Sequence, residues 1–139
     1  KQYVNVGVAI KTKEGLVVPV IKNVNNKSIL EIAKDLTLMI NNARNKRLKP
    51  TDMEGGCFTI SSLGGVGGTY FTPIVNPPEV AILGISRSIK EPVVIKGKLT
   101  EKLILPFSLS YDHRVIDGVE AAQFTTKFGI QLSQFNELK

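Results

Sequence analysis

The change of hydrophobic period near residue 50 is what most restricts the fold of this chain. Between residues 28 and 43, Ile29, Ile32, Ala33, Leu36, Ile40 and Ala43 recur at spacings of three and four, which places them on one stripe of a helix. Ser28-Ile29-Leu30-Glu31 opens the stretch with a capping-box pattern, a hydroxyl at the cap and a carboxylate three residues later. Arg44, Lys46 and Arg47 fall near its end, where positive charge meets the negative pole of the helix dipole, and Pro50 is expected to stop it. From Gly55 onward the texture is that of short strands, at 57–62 (CFTISS), 80–85 (VAILGI), 92–95 (PVVI) and 103–111 (LILPFSLSY), separated by Gly and Pro. Ahead of the helix, 3–10 (YVNVGVAI) and 16–21 (LVVPVI) flank the polar, Gly-ended KTKEG and predict a hairpin. Pro19 cannot donate to a sheet ladder, so the second of these strands is expected at an edge or locally irregular. A last helix is expected from about 118 to 138, with Ala121, Phe124, Phe128, Leu132 and Phe135 on one face. The order of strands and helices predicts a single α/β domain.

Its 139 residues, 42% of them hydrophobic, suit one globular core. No apolar run approaches the roughly 18 residues of a membrane span, and the first residues carry no secretory pattern, so no membrane role is expected. The chain starts with Lys1 and reads as strand almost at once, from which a larger parent polypeptide is expected. Lys and Arg number 18 against 12 acids, a net +6 that would suit nucleic acid, a membrane surface or a polyanionic small molecule. The basic residues are scattered, there is no Trp and there are three Tyr, which leaves a base-stacking surface little to build on. No nucleic-acid partner is expected. The lone Cys57 rules out an intrachain disulfide and permits a reducing, intracellular setting.

The only histidine lies in 110–118 (SYDHRVIDG), after one predicted strand and before the last predicted helix. Leu103, Leu105, Phe107, Leu109 and Tyr111 alternate, and continuing that period carries His113 onto the same, buried side. An imidazole, with an ordinary pKa of about 6.5, is a competent base near neutral pH. The plainer reading makes His113 a structural histidine, Asp117 the helix N-cap with Glu120 completing a box, and Arg114 a surface charge. Residue by residue, the pattern favours the surface reading for Arg114, leaves both readings open for Asp117 and leans towards chemistry for His113.

The string DHRVIDG at 112–118 resembles the His-x-x-x-Asp-Gly signature of the dihydrolipoyl acyltransferases and the related chloramphenicol acetyltransferases. The stretch 55–87 (GGCFTISSLGGVGGTYFTPIVNPPEVAILGISR) and the opening 3–33 (YVNVGVAIKTKEGLVVPVIKNVNNKSILEIA) are similar to the same family, so the resemblance covers nearly the whole chain. It implies a chloramphenicol-acetyltransferase-like α/β fold, a mixed sheet flanked by helices. The chain would be the C-terminal part of a single catalytic domain at the core of a 2-oxoacid dehydrogenase complex. The resemblance also implies the chemistry. His113 takes the proton from the thiol of coenzyme A, which is a substrate, and the thiolate attacks an acyl-dihydrolipoyl thioester whose lipoyl group sits on a separate domain. Ser61, by its place in FTISS, hydrogen-bonds the resulting oxyanion, and Asp117 holds the local geometry.

In the family's trimers His113 of one subunit would face Ser61 of a neighbour. The trimers build larger cores, and the 2-oxoacid decarboxylase and dihydrolipoamide dehydrogenase bind through domains outside this chain. SSLGG with TYFTPIVNPPEVAILG looks most like the acetyl-transferring branch of the pyruvate complex, with succinyl and branched-chain transfer as alternatives and a non-catalytic scaffold as the reading of another class. The implied setting is bacterial cytoplasm or mitochondrial matrix. The Gly pairs 55-56, 64-65 and 67-68 lack the Lys-Ser/Thr of a P-loop and read as turns. Cys57 is given no catalytic part, no coenzyme A contact is assigned to a residue, and no metal is implied.

Overall fold

The computed structural model describes residues 2–135. Its centre is a five-stranded mixed sheet in the order β4-β1-β5-β6-β9, made of Val20–Ile21, Val6–Val8, Phe58–Ser62, Ala81–Ile85 and Phe107–Tyr111. β1, β5 and β6 run parallel, while the two edges, β4 and β9, run antiparallel to their neighbours. Two ribbons leave this sheet: β2 (Ile10–Lys11) with β3 (Leu16–Val17), and the longer β7 (Ile89–Ile95) with β8 (Lys98–Ile104). Helix α1 (Ile29–Arg44) packs beside β4, and α2 (Gly118–Gln134) crosses one face of the sheet. The expected α/β class with a mixed sheet is what the chain adopts.

The predicted hairpin forms, closed by the Thr12 N–H on the Gly15 carbonyl at 2.8 Å, but each of its strands is broken in two. The break in the second falls at Val18-Pro19, where proline cannot donate; the Pro19 carbonyl still accepts from Val8 N–H at 2.9 Å, and β4 beyond it is a sheet edge. Proline also divides the predicted strand 103–111. Leu105-Pro106 separates β8, in the outer ribbon, from β9, in the central sheet, so the alternation of Phe107, Leu109 and Tyr111 belongs to β9 alone.

Ser28 caps α1 as its sequence requires: its hydroxyl accepts from Glu31 N–H and its own N–H donates to the Glu31 carboxylate at 2.8 Å. The stripe of α1 is turned inward except at Ala33, which is exposed. The helix ends at Arg44, before Pro50, with Lys46 in the left-handed region (φ 57°); Pro50 instead opens a short 3-10 turn, Pro50–Asp52.

The core is β6 and what lies against it. Leu83 is 1% exposed, and Ala81, Ile82, Val20 and Ile21 are buried around it. Burying a leucine this fully stabilises by roughly 2–3 kcal/mol. α2 is held on by aromatic contacts. Phe124 meets Phe58 at 5.8 Å between ring centroids, and Phe128 meets Phe107 edge-on at 5.2 Å and 83°, while Phe124 and Phe128 stack on each other. Of the predicted α2 face, Leu132 and Phe135 are about half exposed, and the part expected beyond 135 lies outside the described residues.

Candidate active site

Strand parity assigns the residues of β5, β6 and β9 to a face. Phe58, Ile60, Phe107, Leu109 and Tyr111 point to the α2 side, and Thr59, Ser61, Gly84 and Ser108 to the other. The second face is covered by the segment around residues 71–73. The Ser108 hydroxyl donates to the Phe71 carbonyl, and a Cβ built on Gly84 would lie 2.9 Å from the Phe71 ring and 3.0 Å from Pro73, so only glycine fits there. Ser61, paired with Gly84, is half-buried at the C-terminal end of β5.

His113 stands at the other end. β9 stops at Tyr111, and the Asp112 carbonyl accepts from Val115 N–H and Ile116 N–H, both at 3.0 Å, which curls 112–116 into a turn. Extrapolated strand parity therefore ends two residues short of His113. The side chain is exposed, not buried as the alternation suggested, with its ring 5.6 Å from that of Tyr111. The turn is tied to the sheet by one backbone bond, from Asp112 N–H to the Val80 carbonyl at 2.8 Å, and is braced by Arg114. The Arg114 guanidinium donates to both Asp112 carboxylate oxygens at 2.6 to 3.1 Å, and its backbone N–H donates to Oδ1 at 3.0 Å. These bonds, the side-chain ones first, hold the Asp112 carboxyl down at about 2. Asp112 is thus ionised throughout the neutral range and engaged with Arg114. The sequence reading of Arg114 as a surface charge captured its exposure but not this brace; an acid and a base two residues apart across a strand end were the available signal.

Asp117 is the N-cap of α2, accepting from Glu120 N–H at 2.8 Å while its own N–H donates to the Glu120 carboxylate at 3.3 Å. The structural half of the two open readings is therefore realised. Replacing Asp117 by Ala is expected to cost about 1 kcal/mol, and by Asn only a few tenths, because both acids and amides accept at an N-cap. Urea unfolding of the two variants checks this.

Beneath the His113 turn, between the sheet and α2, lies a cavity of about 380 Å³ walled by Phe58, Ala81, Leu109, Ile116 and Phe124, with Cys57 at its edge. The Cys57 thiol lies 3.3 Å from the Tyr3 carbonyl. Among the described residues no group of three His, Cys, Asp or Glu could hold a metal ion, and no helix is long and apolar enough to cross a membrane. Gly55, Gly67 and Gly68 have positive φ, in keeping with turns.

The structure does not bring Ser61 and His113 together. Ser61, Gly84 and Ser108 lie in one row across β5, β6 and β9; Tyr111 is three residues further along β9. At about 3.4 Å per residue and about 4.8 Å per strand, Tyr111 is roughly 14 Å from Ser61 between Cα atoms, with His113 beyond it in the turn that follows β9. No small substrate group can touch both side chains within one subunit.

The class is therefore a mixed α/β domain with a histidine turn between an edge strand and a capped helix, and a serine at the far end of a central strand. The chain belongs to the 2-oxoacid dehydrogenases acyltransferase (catalytic domain) family, which matches residues 1–139. It is 54% identical over 138 residues to the dihydrolipoyllysine-residue acetyltransferase component of the pyruvate dehydrogenase complex of Cupriavidus necator, covering 99% of this chain and 25% of that protein. The corresponding component of Bacillus subtilis is 45% identical over 121 residues, covering 87% of this chain and 27% of that protein. The chain thus spans about a quarter of the length of these curated relatives. A solved structure of Azotobacter vinelandii dihydrolipoamide acetyltransferase superposes with a TM-score of 0.93 at 54% identity, covering 96% of this chain and 55% of that one. That work concerned a serine, a histidine 52 residues later and an asparagine four residues after the histidine; Ser61, His113 and Asp117 stand at the same intervals. The cubic core of a pyruvate dehydrogenase multienzyme complex is similar with a TM-score of 0.93 at 53% identity, covering 96% of this chain and 55% of that one.

Proposed function

We propose that this chain is part of the catalytic domain of an acyltransferase that moves an acetyl group from acetyl-dihydrolipoamide to coenzyme A, and that its active site is completed by a neighbouring subunit. The observation that carries this reading is the shared spacing of Ser61, His113 and Asp117 with the three residues studied in the Azotobacter vinelandii enzyme. The separation of His113 from Ser61 supports the second part, since two groups that must flank one reacting carbonyl have to come from two chains.

The chemistry follows from the side chains. The His113 imidazole takes the proton of the coenzyme A thiol, and the thiolate sulfur attacks the thioester carbonyl carbon. The Ser61 hydroxyl of the adjacent subunit donates a hydrogen bond to the oxyanion that forms. Collapse breaks the bond to the dihydrolipoyl sulfur, which leaves with the proton held by the imidazole. Asp112 and Asp117 work on the backbone: one closes the turn that carries His113, the other starts the helix that follows it. The positive net charge suits a phosphate-bearing substrate.

Acetyl is preferred over succinyl and branched-chain groups because the relatives in hand are pyruvate-complex components. We assign the protein to a homotrimer within a larger core, on the strength of the divided site and the cubic relative, and to the bacterial cytoplasm, on the strength of its bacterial relatives. Full-length protein supplied with coenzyme A and acetyl- or succinyl-dihydrolipoamide provides the test: kcat/KM at least about tenfold higher with the acetyl donor is expected, a difference of about 1.4 kcal/mol. Preference for succinyl would overturn the assignment.

A further inference from the structure

We propose that Glu79 is a positioning residue for the histidine turn, acting through its buried bond with Thr59. The inference rests on His113 being the base. Glu79 is 8% exposed and Thr59 wholly buried, and the Thr59 hydroxyl donates to the Glu79 carboxylate at 2.6 Å across 20 residues of sequence. Two glycines make the space. A Cβ on Gly56 would collide with Glu79 Oε1, and one on Gly7 would come within 2.7 Å of the Thr59 hydroxyl and 2.9 Å of Val18.

Among the described residues no lysine or arginine pairs with Glu79. A polar side chain withdrawn from water is costly to bury, and an apolar one of its size would hold a loop more stably. Stability alone therefore does not account for a glutamate here. Its place does. Glu79 N–H donates to the Asn76 carbonyl at 3.0 Å, closing the turn at Pro77-Pro78, and the next residue, Val80, supplies the carbonyl that receives Asp112 N–H. Val75, Pro77, Pro78 and Glu79 face Asp112 and Arg114 across a shared cavity of about 610 Å³. The Glu79 carboxylate thus pins the 76–79 turn to the central strand β5, and that turn leads directly into Val80, whose carbonyl sets the height of the His113 turn on the sheet.

In the full-length assembled protein, Thr59→Val removes the donor. It is expected to lower kcat per assembled core by about tenfold or more, with KM for coenzyme A unchanged within about twofold and the loss persisting far below the melting temperature. Thr59→Ser, which restores the donor, is expected to restore kcat. Glu79→Ala combined with Thr59→Val is expected to be no slower than Glu79→Ala alone, because both remove one bond. Should the Thr59→Val core fail to assemble, Glu79→Gln carries the test, since an amide oxygen makes a weaker form of the same bond and a smaller loss in kcat, again with KM unchanged, is expected. Variants that melt at lower temperature yet keep kcat would overturn the positioning role, as would a loss confined to KM. His113→Ala, run beside them, separates the two ideas: turnover retained there defeats the base itself, whereas turnover abolished there but normal in the Thr59 and Glu79 variants defeats only the positioning.

Discussion

His113→Ala is expected to reduce acyl transfer to coenzyme A by about 10³-fold in kcat, the middle of the range that a positioned general base supplies. The effect should fall on kcat, because an exposed side chain at the tip of a turn is poorly placed to hold a large substrate but well placed to touch one reacting proton. Asp112 cannot stand in for it: Arg114 keeps that carboxylate ionised down to about pH 2, far too weak a base for a thiol, and occupies both its oxygens. The turn itself should survive the substitution, since its bonds run from the Val115 and Ile116 N–H groups to the Asp112 carbonyl and from Arg114 to the Asp112 carboxylate, none of which involves the imidazole. Steady-state kinetics on correctly assembled protein check this, and an alanine variant within about tenfold of the parent rate would remove His113 from the mechanism.

Ser61→Ala is expected to cost about 10²-fold in kcat, equivalent to about 3 kcal/mol for one oxyanion donor, with KM for coenzyme A little changed. The strand around it should tolerate the change. Ser61 is half-buried on β5, next to the glycine that leaves room for Phe71 and Pro73, and losing one hydroxyl there opens no apolar core. A Ser61→Ala variant that loses coenzyme A binding and keeps kcat would place the hydroxyl on the substrate's body instead of on its oxyanion.

These two side chains also mark how far sequence reasoning reaches. The caps at Ser28 and Asp117 were legible because a capping box is closed within four residues. His113 was singled out correctly as the residue at a strand-to-helix junction, yet its burial was misjudged. The alternation from Leu103 to Tyr111 runs through Pro106, which divides two strands of different sheets, and the ladder ends before the histidine is reached. That Ser61 and His113 occupy opposite ends of the sheet depends on β5 pairing in parallel with β6 and β6 antiparallel with β9, a topology no local pattern encodes. The Thr59–Glu79 bond is of the same kind. A glutamate amid Pro-Pro and Val-Ala-Ile-Leu hints at burial, but its partner is fixed by tertiary structure alone.

Co-expressing His113→Ala and Ser61→Ala subunits tests the divided site most directly. Each variant alone should be nearly inactive, but in a mixed ring a subunit that keeps its histidine would meet a neighbour that keeps its serine. Random assembly should therefore return about a quarter of the parent activity. Mixed assemblies no more active than the average of the two variants would show that both groups act within one chain, and would contradict the account.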